Sequence, residues 1–507
     1  MTFSLIPLLP ELTLLAALAL ILLMVSLYPS QDGTAAYGVT QLALWVALLA
    51  LWLTQDFQNP QSVMGGMLLR NATTLLMQSA ALLSLSLALL YGRASLIRQK
   101  LWKPETFMLF LCSTLGVLAV IGAYHFVPLF VGLELMALPL YAMVALRKDD
   151  ALSIEAGLKY FFLGALASGF MLYGISLVYG ATGSLGLFAI AQVASGFSSS
   201  NTLLLLGLIF IVAGLAFKLS VVPFHMWAPD VYRGAPTVVA LFVSTVPKLA
   251  AVVLLLRLMS GPLQSLMTEW QAILALLAVL SMIVGAVVAI AQPNLKRMLA
   301  YSTIGHMGYL LLGALVGTQG GFSSALFYML TYVLSNLVAF GVLLSMNEMS
   351  DGDDKNANSE NASGENANGK IALSRGSDLE DFRGLYQRSP LRAVLMTLAM
   401  LSLAGVPPLL GFYGKFAVIG VALMNGFVWL SIIAILTSVI AAFYYLRVVR
   451  LMLFSNQGEG EVEALPAIGV IPRAVLAFNG FALLMLGLFP SVLLDTTARA
   501  LAWAGLI

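Results

Sequence analysis

The chain has 507 residues, of which 60% are hydrophobic and only 9% are charged. A soluble globular domain carries about 25% charged residues, so this composition excludes a soluble enzyme. Apolar runs of about 20 residues, each long enough to cross a bilayer as a helix, recur along the whole length. These runs are continuous rather than alternating, which excludes a strand-built barrel.

The sequence contains no motif for a redox cofactor. Its single cysteine, Cys112, cannot supply the four ligands of an iron–sulfur cluster. No G-x-G-x-x-G fingerprint follows a predicted strand. The net charge of +2 is too small to indicate a nucleic-acid partner. We therefore expect this chain to bind no cofactor, metal or nucleic acid. We expect it to be embedded in the lipid bilayer.

The hydropathy pattern predicts an all-α polytopic membrane protein with about 14 transmembrane helices. No basic residue precedes the first apolar run, so that run is predicted to be a retained helix rather than a signal peptide. The predicted spans are 5–27, 35–54, 72–92, 105–123, 126–146, 155–180, 202–229, 236–258, 270–291, 298–317, 320–346, 390–416, 426–449 and 468–494.

Prolines interrupt two of these spans, the seventh at Pro223 and the twelfth at Pro407 and Pro408. A proline removes a backbone donor and breaks or kinks a helix. In lipid, a broken helix persists only where it is buried in protein or lines a wet cavity. Paired interruptions in two halves of a membrane protein point to a transport site.

The two interruptions also predict an internal repeat. They lie five spans apart, and because five is odd, corresponding helices run in opposite directions across the membrane. Helices 4–8 and 9–13 would then form an inverted repeat. The predicted organisation is 1–104 for helices 1–3, 105–258 for the first half, 259–449 for the second half and 450–507 for helix 14.

The basic residues are distributed unevenly between the two sets of loops. Eighteen follow odd-numbered spans, whereas the other side has only Arg70, Arg257 and Arg499. Because positive loops stay in the cytoplasm, both termini are predicted to face outward. One polar cytoplasmic loop, 347–389, is long, and its Asn-, Gly- and Asp-rich part, 351–369, has little apolar surface to bury. The loop 347–389 is therefore predicted to be disordered.

Charged side chains inside the apolar spans are the strongest functional signal. An ionised lysine at mid-bilayer costs at least about 2.5–3.5 kcal/mol, so such residues need a reason. Glu134, near the middle of span five, is the expected counter-charge for Lys218, which lies just before the first break. Lys248 and His306 lie at the centres of spans eight and ten. Together with His225, just past the break, they predict a polar axis across the bundle at mid-membrane depth.

Structural roles compete with this interpretation. Glu134 and Lys218 could be a static pair that specifies packing, and Lys248 could extend its ammonium group toward an interface. His225 and His306 could be packing histidines whose neutral rings bond backbone carbonyls.

Lys159 has both interpretations open. Glu155 precedes it by four residues near the start of span six, a spacing that stabilises a helix by a few tenths of a kcal/mol. Because intramembrane charges are functional by default, a place in proton transfer is an equal alternative.

Three stretches resemble the antiporter-like membrane subunits of bacterial NADH–quinone oxidoreductase, respiratory complex I, and most closely the subunit N family. They are Pro223-Phe-His-Met-Trp-Ala-Pro-Asp-Val-Tyr-Arg-Gly-Ala-Pro236-Thr237, Gly132-Leu-Glu-Leu-Met-Ala-Leu-Pro-Leu-Tyr141 and Pro407-Pro-Leu-Leu-Gly-Phe-Tyr-Gly-Lys415-Phe416. The resemblance covers nearly the whole chain. It implies fourteen helices and an inverted repeat in which helices seven and twelve are broken. The insertion 351–369 departs from the family pattern because it is longer than expected.

The resemblance implies a non-redox, proton-translocating subunit. Glu134 would pair with Lys218, His225 and Lys248 would form the central relay, and Lys415 would be the terminal lysine. NADH, flavin, iron–sulfur clusters and quinone would be bound by other subunits. The expected neighbours are subunits K and M and the lateral helix of subunit L, in the inner membrane, with both termini in the periplasm. A subunit of a multi-subunit Na+/H+ antiporter and a passive membrane scaffold remain alternative functions.

Overall fold

In a computed structural model of the chain, residues 5–28, 32–54, 60–196, 201–346, 377–455 and 469–502 are described. Within these ranges the chain forms nineteen α-helices and one short antiparallel hairpin of strands β1 (Gln61–Val63) and β2 (Leu68–Arg70). The helices are α1 (Leu9–Leu27), α2 (Thr34–Thr54), α3 (Ala72–Arg98), α4 (Pro104–Gly122), α5 (Phe126–Val144), α6 (Ala151–Thr182), α7 (Leu187–Ala194), α8 (Thr202–Leu219), α9 (Trp227–Gly234), α10 (Thr237–Ser260), α11 (Met267–Ile290), α12 (Leu295–Ala314), α13 (Gln319–Met346), α14 (Leu385–Arg388), α15 (Pro390–Ala404), α16 (Leu410–Met424), α17 (Val428–Phe454), α18 (Val470–Leu488) and α19 (Ser491–Ala502). Short 3-10 turns occupy Ile6–Leu8, Gln264–Leu266 and Leu379–Phe382.

The prediction of an all-helical polytopic membrane protein is confirmed. Twelve of the described helical stretches are long and apolar enough to cross a membrane. The two other predicted spans are α12, which carries Lys296 and Arg297 in its first turn, and the interrupted pair α15 and α16. The count of fourteen crossings therefore stays a prediction. Helices α7 and α19 and the β-hairpin were not predicted, and α19 lies in the segment predicted to be one terminal helix.

Helices α10 and α13 form the centre of the bundle. All of the most apolar window of α10 and 94% of that of α13 are buried, against 33% for α1 and for α2. Lipid tails are as apolar as leucine, so helix association in a membrane depends on close packing through small residues. A Cβ on Gly285 of α11 would lie 2.4 Å from the Gly305 nitrogen of α12, and one on Gly116 of α4 would lie 2.3 Å from the Met136 nitrogen of α5. The first helix pair of each predicted half thus packs through a glycine.

Part of the predicted disordered loop is ordered. Residues 347–376, which include the insertion, lie outside the described residues, but 377–389 form a 3-10 turn and α14. Asp378 and Asp381 make a capping box, and Leu379, Phe382 and Leu385 are buried. The prediction of disorder over the whole of 347–389 was wrong at this end, because apolar residues three positions apart supply a face that packs on the bundle.

A buried polar cluster joins helices at the other end of the bundle. Arg70 donates to a Glu11 carboxylate oxygen at 2.6 Å and to the Gln78 amide oxygen at 2.8 Å. Arg257, at the end of α10, donates to the carbonyl of Ile121 at 2.8 Å. Both arginines are almost fully buried. Arg70 and Arg257, two of the three basic residues assigned to the outer side, therefore bind other helices inside the protein and are not exposed loop charges.

Candidate functional site

The first break separates α8 from α9. Helix α8 ends at Leu219, and Ser220 adopts a left-handed conformation with φ of +63°. The Val221 N–H donates to the Ala216 carbonyl at 3.0 Å, which closes the helix end as a Schellman-type cap. A left-handed serine costs of order 1 kcal/mol, so the surrounding packing must hold it in place.

The second break, between α15 and α16, has the same local geometry. Gly405 takes the left-handed position with φ of +86°, and the Val406 N–H donates to the Leu401 carbonyl at 3.0 Å. Glycine adopts this conformation without steric cost. Both interrupted spans therefore stop in the same way, and in both the left-handed residue is followed directly by a valine and, two positions after that valine, by a proline.

A buried lysine binds the carbonyl end of the first broken helix. Lys248, from the centre of α10, donates to the Leu219 carbonyl at 3.0 Å and to the Ser220 hydroxyl at 2.9 Å. Its side chain is 1% exposed. The C-terminus of a helix carries roughly half a negative charge, so it stabilises an ammonium group without a carboxylate.

A second buried lysine binds the equivalent carbonyl at the second break. Lys415, from α16, donates to the Ala404 carbonyl at 2.8 Å and to the Ser438 hydroxyl at 2.9 Å, and is 6% exposed. Ala404 immediately precedes the left-handed residue, as Leu219 does at the first break. In their contacts, the counterpart of Lys415 is therefore Lys248.

Each of these two lysines also faces an aromatic ring. The Lys248 ammonium lies 5.8 Å from the ring centre of Trp227, and that of Lys415 lies 5.1 Å from the ring centre of Tyr309. Such contacts stabilise a cation in a desolvated site. Serine, carbonyl and ring together replace the solvation that either lysine would have in water.

Lys218 and Glu134 are not in contact. No ion pair within 4 Å joins them, and the Lys218 ammonium makes no hydrogen bond within the described residues; it lies 5.8 Å from the Phe217 ring. One Glu134 carboxylate oxygen is buried without a hydrogen-bond partner, as is the Tyr141 hydroxyl on the same helix. The expected counter-charge of Lys218, Glu134, thus makes no ion pair with it and has a buried oxygen without a hydrogen bond.

The two histidines differ in their surroundings. His225 is half-buried at the first break, its Nδ1 has no hydrogen-bond partner, and it makes no hydrogen bond to Lys248. His306 is buried at the centre of α12, and both ring nitrogens are partnered. Its Nδ1 lies 2.6 Å from the Tyr328 hydroxyl and its Nε2 lies 3.0 Å from the Tyr445 hydroxyl.

His306 also connects two small cavities. The first is also lined by Lys415, Tyr309, Ser302 and Tyr445. The second is also lined by Tyr328, Tyr332, Ser335 and Ser402. Each has a volume of about 10 Å³, close to what one water molecule needs.

Lys159 lies on the outside of the bundle. It pairs with Glu155 at 2.7 Å, as the spacing predicts, and also with Asp230 of α9 at 2.7 Å. The side chains of Lys159 and Glu155 are 44% and 60% exposed. This lysine holds α6 against the second half of the broken helix and contacts none of the other predicted site residues.

Sequence reasoning found the buried Lys248 and Lys415 but placed Lys296 in a loop, whereas it is 5% exposed and donates to the Ala235 carbonyl at 3.0 Å. It also missed Ser220, Ser438, Tyr328 and Tyr445. Serine and tyrosine are common in helical bundles, and nothing in their spacing distinguishes those that contact a lysine or histidine. Among the described residues, no three His, Cys, Asp or Glu side chains come close enough together to hold a metal ion.

Comparisons with known proteins agree with this architecture. Residues 123–441 match the family described as NADH:quinone oxidoreductase/Mrp antiporter, transmembrane. The chain is 42% identical to NADH-quinone oxidoreductase subunit N of Thiobacillus denitrificans, over 98% of this chain and 97% of that protein. It superposes on a chain of respiratory complex I from Thermus thermophilus with a TM-score of 0.77 and 33% identity, covering 96% and 98% of the two chains. A chain of the Mrp complex from Dietzia superposes with a TM-score of 0.79 at 20% identity, covering 97% and 96%, which shows a common fold. The chain belongs to the subunit N family of the NADH-quinone oxidoreductases, within the wider group of complex I and Mrp antiporter membrane subunits.

Proposed function

We propose that this chain is a non-redox, proton-translocating membrane subunit of a bacterial NADH–quinone oxidoreductase. The observation that carries the proposal is the pair of buried lysines bound to the carbonyl ends of two broken helices. Ionisable groups inside a membrane bundle are functional by default. Relatives about 40% identical over nearly their whole length are named as subunit N, which favours this function over sodium/proton exchange.

The proton path would use the predicted residues in two ways. Lys248, His306 and Lys415 have hydrogen-bond partners in place and would act as fixed relay stations. Lys218 and Glu134 have none between them and would act as a switch. A carboxylate that approaches a desolvated lysine strengthens its hold on a proton, and one that retreats releases it. His225, half-buried beside the switch, would pass protons between them and the relay.

Lys159 has a different proposed role. Its two carboxylate partners and its exposure favour a structural ion pair over a place in the proton path. Exposed ion pairs contribute about 0–1 kcal/mol to stability. A change in the contact between α6 and α9 would nevertheless reach the first break, because Asp230 lies on α9.

Quinone reduction elsewhere in the complex would supply the energy for proton transfer. NADH, flavin, iron–sulfur clusters and quinone would be bound by other subunits. Subunits K and M and the lateral helix of subunit L would be the neighbours, in the inner membrane, with both termini facing the periplasm. The burial of Arg70 and Arg257 supports that orientation, because it leaves Arg499 as the one basic residue of that side outside the buried cluster.

The test is NADH-driven acidification of inverted membrane vesicles that contain the Lys218→Ala complex, after native gels establish assembly. Lys103→Ala, at an exposed lysine before α4 that makes no side-chain cap, is the matched control. We expect assembled Lys218→Ala complex to acidify vesicles at least about tenfold more slowly, the size of effect that removal of a proton-transfer group has. Unchanged acidification would leave a passive scaffold as the better account.

A further inference from the structure

His306 lies between two tyrosine hydroxyls. Its two ring nitrogens contact two phenol hydroxyls that come from different helices, Tyr328 of α13 and Tyr445 of α17. The Tyr445 hydroxyl makes a second, short hydrogen bond to the Ser302 hydroxyl. Ser302, Tyr445, His306 and Tyr328 therefore form one continuous hydrogen-bonded row. Its two ends lie at the two small cavities.

We infer that this row is a proton wire that carries protons between the two cavities, and that Tyr328 and Tyr445 are obligatory members of it. The inference rests on the proposed function, since a wire matters only if protons cross this chain. One cavity leads to the ammonium group of Lys415. The other leads to Ser402, just before the second break.

A neutral imidazole can pass a proton only if one nitrogen accepts while the other donates. With the proton on Nε2, His306 donates to the Tyr445 oxygen, Tyr445 donates to Ser302, and the Tyr328 O–H donates to Nδ1. Transfer moves the Tyr328 proton to Nδ1, the Nε2 proton to the Tyr445 oxygen and the Tyr445 proton to the Ser302 oxygen, while Ser302 releases its own hydroxyl proton to a water in the first cavity, which becomes a hydronium ion. An incoming proton, carried as hydronium in the second cavity, then reprotonates Tyr328 and leaves that water neutral.

After this step the row carries no net charge and points the other way. His306 is the Nδ1 tautomer, which donates to Tyr328 and accepts from Tyr445. Rotation of the hydroxyls and exchange of the tautomer reset it. Each oxygen and nitrogen in the row has a partner in both states, so neither state leaves a buried polar group unpaired.

Other tyrosines nearby do not share this geometry. The Tyr309 hydroxyl donates to the Ala434 carbonyl at 2.9 Å and contacts the Thr437 hydroxyl at 3.0 Å, and it makes no hydrogen bond to His306. The Tyr332 hydroxyl contacts Thr303 at 2.8 Å and Asn336 at 2.9 Å, and it makes no hydrogen bond to His306. Tyr328 and Tyr445 are the hydroxyls bonded to the imidazole among the described residues.

The test compares Tyr445→Phe, Tyr328→Phe and His306→Gln for protons pumped per electron pair by assembled complex. Phenylalanine keeps the ring and removes the hydroxyl. Glutamine keeps one donor and one acceptor but cannot exchange them through a shared ring. Tyr91→Phe is the control, because Tyr91 is a buried tyrosine whose hydroxyl contacts Asn479 at 3.5 Å, away from the row.

We expect all three row variants to lower the ratio while Tyr91→Phe leaves it unchanged, and we expect acidification rates to fall at least about tenfold. Native gels and thermal unfolding of the purified complex accompany each variant. A normal ratio in assembled Tyr445→Phe or Tyr328→Phe would overturn the wire. If the ratio is normal there but falls in Lys415→Met, the wire is wrong and the proposed function stands; if neither lowers it, both are wrong.

Discussion

The two breaks share a cap geometry but differ in how completely their polar groups are satisfied. At the second break, Lys415 has a carbonyl and a hydroxyl, and both nitrogens of nearby His306 are bonded. Around the first break, Lys218 has no hydrogen bond, and Glu134 and His225 each have a buried atom without a partner. In the proposed function, a site whose polar groups are all hydrogen-bonded would be a fixed relay, whereas a site with unpartnered groups could gain or lose a contact. We therefore propose that the first break is where the chain would respond to the rest of the complex.

The largest expected effect comes from removing either capping lysine. Lys248→Met and Lys415→Met each leave a buried helix carbonyl without its donor, which costs about 1–3 kcal/mol, and each removes a proposed relay group. We expect both variants to lower the thermal midpoint of the purified complex and to reduce vesicle acidification by at least about tenfold. Thermal unfolding and dye-based acidification measure the two effects. A fall in acidification in only one of the two variants would show that Lys248 and Lys415 are not equivalent.

Lys218→Met tests whether the unbonded lysine at the first break affects proton transfer without affecting stability. Because the Lys218 ammonium makes no hydrogen bond, its removal leaves no buried partner unsatisfied and should not lower the stability of the complex, while acidification falls. The same two measurements apply, with Lys103→Met as an exposed control. A large drop in thermal midpoint would mean that Lys218 is a structural residue.

A smaller effect is expected from the hydroxyl partner of the second lysine. Ser438→Ala removes one of the two hydrogen bonds of Lys415 and should destabilise the complex by about 1 kcal/mol. Acidification should fall less than in Lys415→Met, because the carbonyl contact remains. Thermal unfolding and acidification of Ser438→Ala and Lys415→Met are measured side by side. A larger fall in acidification in Ser438→Ala than in Lys415→Met would contradict the assignment of Lys415 as the proton carrier.

The smallest effect is expected outside the bundle. Lys159→Gln removes the ion pairs with Glu155 and Asp230 on the outside of the bundle and should cost no more than about 1 kcal/mol, with acidification close to wild type. Titration with salt is the check, since surface pairs weaken as ionic strength rises. Loss of pumping in assembled Lys159→Gln complex would place this lysine in the proton path.

Much of the fold follows from local sequence. Continuous apolar runs mark the spans, and Pro223 and Pro407 mark the two breaks, because proline and lipid together leave few alternatives. The central positions of Lys248 and His306 follow from the same pattern. The short helices α7 and α19 were missed because each is shorter than a span and follows directly on a longer apolar run.

The partners of the buried charges could not be predicted. His306 is bonded by residues 22 and 139 positions away along the chain, and Lys248 binds a carbonyl 29 positions away. Such contacts depend on how helices pack, and backbone carbonyls carry no signature in the sequence. The pair of Glu134 and Lys218 was predicted from the sequence because both residues are charged and lie inside apolar spans. In the structure, however, their side chains make no ion pair.

The most direct test of the central claim is the number of protons pumped per electron pair by assembled complex in which Lys248 and Lys415 are both methionine. NADH oxidation and vesicle acidification would be recorded together, with wild type and Lys103→Met alongside. We expect a lower ratio than in wild type at equal assembly, because both proposed relay stations are lost. A ratio equal to that of wild type would contradict it and would make the two lysines helix caps without a part in proton transfer.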